Sequence, residues 1–245
     1  MNKFFYNVSV AIPLRQTFTY HSKQKIIPGT RVAVKFGSRS KLGIVTEEIK
    51  VTTIQTKAIH LVLDNEPIFS EVELKILAWA SDYYHHPIGE VLGSFLPTNL
   101  RNIKTVMDDM DSVVKVEIEN NPFQKNLTTQ QTEAVKTLSE LSGFAPTLLY
   151  GVTGSGKTEV YIRCIQEQLL QQKSVLLLAP EIALTPQLEQ RVKDQFGPAV
   201  GMYHSKMTPA KRYKAWKKFR SGEINILIGT RSAAMMSAPK LGLII

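Results

Sequence analysis

The sequence predicts a two-part α/β protein, in which a small β-barrel-like domain with helices precedes a domain built on a parallel β-sheet. Short alternating runs separated by turns dominate the first 60 residues, and two helical patterns follow them. From residue 127 onward strands and helices alternate. The 245 residues suffice for two hydrophobic cores. We therefore expect an N-terminal domain over residues 1–100, a linker over 101–126, and an α/β domain over 127–245.

The N-terminal strands are indicated by alternation of apolar and polar residues. Residues 7–12, 31–36 and 42–49 have this pattern, which places one set of side chains on a buried face. Turn signals at Pro28-Gly29 and at residues 37–40 separate the runs. Short strands joined by such turns predict a small barrel or a curled sheet.

Two helices should follow the barrel. Ser70 stands three residues before Glu73, the spacing of a capping box, so a helix is expected to begin there and to continue to about Tyr84. A second, shorter helix is predicted over residues 88–96, ending before Pro97.

The linker is polar and acidic, with one possible strand at residues 113–118. Beyond it the sequence alternates in the manner of a RecA-like open parallel sheet. The predicted elements are a helix to Leu141, a short buried strand at 147–150, a helix at 159–170, a strand at 174–179, a helix at 186–196, a strand at 199–203, a basic helix to Arg220, a strand at 224–228 and a final run at 241–245.

The most informative motif lies between the strand at 147–150 and the helix that follows it. It matches G-x-x-x-x-G-K-[ST], the phosphate-binding loop of nucleoside triphosphatases. A glycine loop at a helix N-terminus directs backbone N–H groups and the positive end of the helix dipole at a phosphate. The alternative is a strand-to-helix turn without a ligand. The expected binding residues are Gly151, Val152, Thr153, Gly154, Ser155, Gly156, Lys157 and Thr158.

Two residues of this loop are expected to take part in catalysis. Lys157 should reach the β- and γ-phosphates of ATP, and the Thr158 hydroxyl should ligate Mg²⁺. Upstream, the Gln131 amide offers a donor and an acceptor that suit the N6/N7 edge of adenine, although such a glutamine is more often simply solvated. The sequence therefore predicts an ATP·Mg²⁺ site.

The charge distribution suggests a polyanionic partner. The net charge is +9, with 10 Lys/Arg against 2 Asp/Glu in residues 1–57, 5 against 11 in 58–126, and 15 against 8 in 127–245. Two basic segments favour nucleic acid as the partner, and solvated lysines are the plain alternative. No apolar run approaches the roughly 20 residues of a membrane helix, and no signal-peptide core is present, so we expect a cytoplasmic protein without membrane contact. The single cysteine, Cys164, excludes an internal disulfide and a multi-cysteine zinc site within these residues.

Polar groups also follow two of the later strands. Such groups, at the carboxyl ends of parallel strands, suit sequence-neutral contacts with the phosphates of single-stranded DNA. Ordinary loop polarity is the alternative. In the basic helix, Tyr213, Trp216 and Phe219 recur every three residues and are expected to pack inward rather than stack on bases. The candidate DNA-binding residues here are Thr185, Gln187, Thr230, Arg231 and Ser232.

Taken in order, these segments resemble the primosomal protein N′ family, the replication-restart helicases of the PriA type. The resemblance covers nearly the whole sequence, and the run Pro-Glu-Ile-x-Leu-Thr-Pro-Gln is more specific than the phosphate loop. The residues that carry it are 151–161, 180–187, 204–205 and 228–233 in the second half, and 15–20, 29–32, 36–37, 57–58 and 83–89 in the first.

The resemblance implies a 3′→5′ DNA helicase that recognises stalled or repaired replication forks and initiates primosome assembly. It implies forked DNA, 3′-OH ends and single strands as ligands, with single-strand-binding protein and other primosome proteins as partners. By matching position, Phe18, Gly37 and Lys57 would line a pocket for a 3′-OH end. Thr19 stands where the family has an acidic residue, and its hydroxyl could still contact the terminal 3′-OH.

The family pattern differs from this sequence in two places. The linker at 101–126 is too short for the family's winged-helix domain, and the sequence ends just before the expected D-E-E-H box. The zinc-binding cysteines would also lie further on. We therefore expect this chain to bind DNA, and to bind ATP weakly with negligible turnover. Another superfamily 2 translocase and a non-enzymatic fork-binding scaffold are the alternatives, whereas the basic segments disfavour a small-molecule kinase.

Overall fold

The computed structural model describes residues 3–50, 53, 55–105, 126–180, 185–238 and 240–245. The chain divides into two compact units, residues 1–109 and 110–245. The strand predicted at 113–118 lies outside the described residues. Among the helices of the described ranges, none is long and apolar enough to cross a membrane.

The first unit contains a closed five-stranded barrel, which confirms the predicted barrel-like domain. Its strands are joined in the order β1-β2-β5-β3-β4. Every pairing is antiparallel except that of β2 with β5, which is parallel. The sequence patterns located β1, β3 and β4 but missed β2 and β5. The five strands are β1 Phe4–Val10, β2 Phe18–Ser22, β3 Arg31–Phe36, β4 Arg39–Ile49 and β5 Lys57–Val62.

Alternating side chains of the strands fill the barrel interior, as the sequence pattern requires. Tyr6, Val8 and Val34 are fully buried there. The Tyr6 hydroxyl accepts a hydrogen bond from the Ile26 backbone N–H at 2.8 Å. Burial raises the pKa of this hydroxyl above its ordinary value.

A buried ion pair connects the barrel to the segment that follows it. Arg31, the first residue of β3, and Asp64, just beyond β5, are both fully buried. The Arg31 Nε donates to Asp64 Oδ2 at 2.9 Å, and its Nη1 donates to the Leu100 carbonyl at 2.7 Å. The guanidinium therefore ties three separate stretches of the first unit together.

The described residues of the first unit also form two α-helices, α1 (Glu71–Tyr83) and α2 (Ile88–Phe95). The predicted capping box at the start of α1 is confirmed. The Ser70 side chain accepts from the Glu73 N–H, and the Glu73 carboxylate accepts from the Ser70 N–H at 2.7 Å.

The second unit contains a four-stranded parallel sheet with helices, consistent with part of a RecA-like lobe. The strands lie in the order β7-β8-β6-β9, and every pairing is parallel. Leu177, Ile226 and Ile228 of the sheet pack with Ile165 and Val192 of two helices. The elements are α3 Thr129–Ser139, α4 Lys157–Leu170, β6 Ser174–Leu178, α5 Thr185–Phe196, β7 Val200–Tyr203, α6 Pro209–Ser221, β8 Ile226–Gly229 and β9 Leu241–Ile244.

One predicted strand is wrong. Residues 147–150 form no strand, and Leu148 and Tyr150 are 84% and 90% exposed. An apolar run becomes a strand only when a neighbouring strand satisfies its backbone groups and covers its side chains. No described strand pairs with this segment.

The aromatic side chains of the basic helix α6 were predicted to pack inward, and two of the three do so. Trp216 and Phe219 are buried in the second unit, at 3% and 0% exposure. Tyr213 is only half-buried, and its ring stacks on that of Trp216 with centroids 6.1 Å apart. These aromatic rings pack within the unit.

Candidate nucleotide and DNA sites

The glycine loop of the second unit has the backbone conformation of a phosphate cradle. Gly154 and Gly156 have φ angles of +83° and +79°, in the left-handed region that glycine adopts readily. The Ser155 N–H donates to the Val152 carbonyl at 3.2 Å, which closes the loop. Helix α4 begins directly after it, at Lys157. The N–H groups at the start of α4 and the positive end of its dipole therefore lie at the loop.

Lys157 already points into this loop. Its Nζ donates to the carbonyl oxygens of Gly151 at 2.6 Å and Val152 at 3.0 Å. The ammonium is thus held beside the backbone that would surround a phosphate. A triphosphate would offer it charged acceptors in place of these neutral carbonyls, and charge-assisted hydrogen bonds are stronger. The loop therefore fits a phosphate group.

At two glycines of the loop an added side chain would meet a neighbouring polar group. A Cβ at Gly151 would lie 2.7 Å from Ser155 Oγ, and one at Gly156 would lie 2.4 Å from Gln131 Nε2. Larger side chains at these two positions would displace groups that shape the loop.

Gln131 connects helix α3 to the phosphate loop. Its Oε1 accepts from the Thr128 backbone N–H at 2.9 Å, as part of the capping box of α3, and its Nε2 donates to the Ser155 carbonyl at 3.1 Å. The sequence indicated the residue but not these two contacts. A primary amide has a second N–H and a second lone pair, so one more hydrogen bond is possible on either atom. Its contact with adenine remains a prediction.

The residues after Lys157 are placed at the start of α4. Thr158 is half-buried in the first turn, and its role as a Mg²⁺ ligand remains a prediction. Glu159 accepts from Arg191 of α5 at 2.8 Å, in an ion pair whose side chains are 12% and 23% exposed. Sequence reasoning missed this pair, because nothing local relates two residues that lie 32 positions apart.

The predicted DNA-binding groups of the second unit follow β6 and β8. Thr230 and Arg231 come directly after β8, and the side chain of Arg231 is exposed. Thr185 is the first residue of α5, and Gln187 is exposed in its first turn. Residues 181–184, which complete the segment after β6, lie outside the described residues.

The ends of β7 and β8 hold two buried polar atoms without partners in the part of the chain that the structure describes. These are the Nδ1 of His204 and the Oγ of Ser232. The strands that precede them are neighbours, with Tyr203 paired to Gly229. Ser232 was a predicted site residue, whereas His204 was singled out only as part of the family pattern. An orphaned buried atom at this edge is compatible with a polar ligand.

Three of the four predicted residues of the 3′-end pocket lie at one end of the barrel. Phe18 opens β2 and Lys57 opens β5, and these strands run parallel with Tyr20 opposite Lys57. Gly37 lies in the two-residue turn between β3 and β4, where Phe36 pairs with Arg39. The rings of Phe18 and Phe36 meet edge to face, with centroids 5.0 Å apart. The structure therefore brings Phe18, Gly37 and Lys57 to the same end.

The side chain of Thr19 does not point to the same face of β2 as that of Phe18. Successive side chains of a strand point to opposite faces, so Thr19 lies on the face of β2 opposite to Phe18 and Tyr20. The Thr19 hydroxyl donates a hydrogen bond to Asn7 Oδ1 at 3.2 Å, and the Asn7 amide N–H in turn donates to the Glu47 carboxylate. The sequence placed Thr19 next to Phe18 without regard to this alternation. Its contact with a DNA end remains a prediction.

The described residues offer no ready site for zinc. Within them, no group of three or more His, Cys, Asp or Glu side chains could hold a metal ion. Cys164 is buried in α4, and burial raises the pKa of its thiol to about 11. The neutral thiol is a poor metal ligand.

Two family models match the two units separately. Residues 7–97 match a 3′ DNA-binding domain, and residues 128–241 match the DEAD/DEAH box helicases. The first match covers the barrel from Asn7 onward, and the second covers the phosphate loop and the parallel sheet up to the first residue of β9.

Comparison with curated proteins gives relatives that match most of this chain and others that match about half of it. The replication restart protein PriA of Helicobacter pylori strain J99 is 36% identical over 228 residues, which is 93% of this chain and 34% of that protein. The protein of the same name from Haemophilus influenzae is 31% identical over 314 residues, covering 97% of this chain and 43% of that protein. The protein of the same name from Synechocystis is 47% identical over 119 residues, which is 49% of this chain and 14% of that protein. The chain thus spans about a third of the length of the first of these relatives.

Proposed function

Because this chain belongs to the PriA family of replication restart proteins, we propose that it acts in an ATP-dependent 3′→5′ DNA helicase that recognises stalled or repaired replication forks and initiates primosome assembly. The observation that carries the proposal is the glycine loop at the start of α4, with Lys157 Nζ held against it. A barrel that matches a 3′ DNA-binding domain precedes it in the same chain.

The nucleotide site is assigned to the loop at residues 151–158. ATP is the nucleotide, because superfamily 2 helicases use it, and Mg²⁺ would neutralise charge between its β- and γ-phosphates. Lys157 would move from two backbone carbonyls onto the phosphates, and the Thr158 hydroxyl would hold the ion. Loop N–H groups would orient the phosphates, and Gln131 would keep the loop against α3. We assign no zinc ligand to this chain.

The DNA contacts are assigned to two surfaces, one in each unit. Phe18 would stack on the terminal base at the end of the barrel, while Lys57 would attract its phosphate. Thr19 lies on the other face of β2, where its hydroxyl donates to Asn7 Oδ1. In the second unit the residues after β6 and β8 would contact the phosphates of a single strand. These residues are Thr185, Gln187, Thr230, Arg231 and Ser232.

We keep the proposed domain limits of 1–100, 101–126 and 127–245, which the two compact units support in outline. Single-strand-binding protein and other primosome proteins are the proposed partners. A cytoplasmic location is proposed because bacterial chromosomes are replicated there.

The proposed 3′-end pocket of the barrel is tested with two DNA strands that differ only in the chemical group at the 3′ end. We expect the chain to bind a short single strand with a 3′-OH more tightly than the same strand with a 3′-deoxy end, by roughly three- to tenfold, the value of one hydrogen bond. The measurement is fluorescence anisotropy with the label at the 5′ end. Phe18→Ala should remove the preference, whereas Phe5→Ala, an aromatic change on the same barrel, should leave it. Equal affinity for the two ends would contradict the 3′-end pocket.

The assignment of the loop is tested independently. Lys157→Ala should weaken the binding of Mg·ATP while the preference for a 3′-OH end stays unchanged, because the two sites lie in different units. A fluorescent ATP analogue reports the first quantity. Unchanged nucleotide affinity in Lys157→Ala would refute the assignment.

A further inference from the structure

The barrel contains a groove along the seam between β2 and β5. These strands pair only at Tyr20↔Lys57 and His21↔Ala58, although β5 continues to Val62. Beyond the second pair the strands diverge and leave a cavity of about 420 Å³, lined by residues 21–24 on one side and 58–62 on the other. The edge of β5 that faces β2 is therefore not covered by pairing over these residues, and an uncovered strand edge presents backbone N–H and C=O groups.

The groove leads away from the proposed 3′-end pocket. Because β2 and β5 are parallel, both strands begin at the end where Phe18 and Lys57 lie, and both run toward the groove. From Lys57 to Val62 the distance along β5 is about 16 Å, five steps of about 3.3 Å. That length accommodates up to about four nucleotides at a stacked spacing of about 3.4 Å.

The chemistry of the lining suits a single nucleic-acid strand. None of the nine lining residues carries a carboxylate, and Lys23 is exposed at the edge of the groove. The His21 ring is held by a hydrogen bond between its Nδ1 and Thr56 Oγ1 at 2.8 Å. His60 is exposed, and Leu61 is 51% exposed, which gives an apolar surface for a base. Cationic, hydrogen-bonding and apolar groups without a fixed pattern are what sequence-neutral binding needs.

We infer that this seam groove, residues 21–24 and 58–62, binds the nucleotides immediately 5′ of the terminal one, with Lys23 at a phosphate and His21 and His60 beside the bases. The inference rests on the proposed 3′-end pocket and extends it from an end-binding site to a site for several nucleotides. A polypeptide strand added to the edge of β5 is the competing occupant. The cationic edge and the continuity with the end pocket favour DNA.

The test is a length series of 5′-labelled 3′-OH oligothymidylates, from two to eight nucleotides, measured by anisotropy at several salt concentrations. The chain and each of its variants in this test carry Arg231→Ala, so that the second unit contributes less to oligonucleotide binding. We expect the affinity to rise with each added nucleotide up to about five, the terminal one and the four in the groove. In Lys23→Ala this rise should flatten, and the slope of log K against log salt should become shallower by about 0.7, the loss of one phosphate contact on a single strand.

Lys25→Ala is the matched control. Lys25 is exposed and lies two residues from Lys23, but it does not line the groove. Its removal should leave both the length series and the salt slope nearly unchanged. Equal effects of the two substitutions, or a length series unaltered by Lys23→Ala, would overturn the inference, and a peptide would then be the better candidate occupant. The preference for a 3′-OH over a 3′-deoxy end is recorded in the same titrations, so failure of the end pocket is seen separately.

Discussion

The buried ion pair of the first unit gives a quantitative prediction for the stability of the barrel. In Asp64→Asn the side chain keeps its shape but loses its charge, and an amide N–H₂ faces the guanidinium of Arg31. The Asp64 carboxylate accepts from Arg31 Nε at 2.9 Å and from the Arg31 backbone N–H at 3.2 Å, and both side chains are fully buried. The guanidinium would retain the carbonyls of Leu100 and Thr105 and at most one neutral side-chain oxygen at position 64.

The expected loss follows from leaving one buried charge unpaired. Breaking such a pair from one side costs about 3–5 kcal/mol. A domain of this size has a free energy of unfolding of about 5–15 kcal/mol in total. Each kcal/mol lost lowers the midpoint of its thermal unfolding by about 4–8 °C. We therefore expect the midpoint of the first unit to fall by at least about 12 °C. Little of the loss comes from a cavity, since the substitution conserves volume.

Hydrogen exchange measured by mass spectrometry distinguishes the two units. Peptides from β1, β3 and β4 should lose protection by roughly 10²-fold or more, while peptides from β6 and β8 should not change, because they belong to the other unit. The control is Glu71→Gln, which removes a carboxylate from an exposed pair with Lys75 and should have no measurable effect. A fall in barrel protection of less than about fivefold, or an equal fall in both units, would refute this reasoning.

Three further predictions concern the second unit. Gly156→Ala should weaken ATP binding about tenfold, because its φ is +79° and a Cβ would push the Gln131 amide, 2.4 Å away, off the Ser155 carbonyl. Gly154→Ala has similar strain but open space around it and should be milder, and equal losses in a nucleotide titration would contradict the role of Gln131. Thr128→Ala should cost about 1 kcal/mol by removing the cap of α3, seen as faster amide exchange in that helix alone. Burial raises the pKa of the Cys164 thiol from 9.0 to about 11, so the folded state favours the neutral thiol. The stability that the neutral thiol contributes is complete below about pH 9 and is lost as the pH rises toward 11. Denaturant titrations should therefore show a steeper loss of stability above pH 9 in the wild type than in Cys164→Ala, and parallel curves would be inconsistent with this account.

Local chemistry allowed several features to be predicted from the sequence. The capping box at Ser70 and Glu73 and the start of α4 after the glycine loop depend on residues within a few positions of each other, and both were found as expected. The strands β3 and β4 were also predicted, since alternation determines which side chains enter a core.

The features that were missed depend on distant parts of the chain. The run at residues 147–150 has the composition of a buried strand, yet it has no described neighbour to pair with. The strands β2 and β5 are partly polar, and each pairs with another strand of the barrel as well as with its partner 37 positions away, from Tyr20 to Lys57. The direction of Thr19 and the pair between Glu159 and Arg191 likewise depend on register and packing, which a single sequence does not contain.

The loop before α4 and the Lys157 ammonium should together bind the phosphates of a nucleoside triphosphate. Calorimetric titration of the folded chain with Mg·ATP and with AMP isolates the contribution of this loop, because the two ligands share the base and sugar and differ in the β- and γ-phosphates. ATP should bind at least about tenfold more tightly than AMP, and Lys157→Ala should abolish the difference. Equal binding of the two nucleotides, or no heat with saturating ATP, would contradict it.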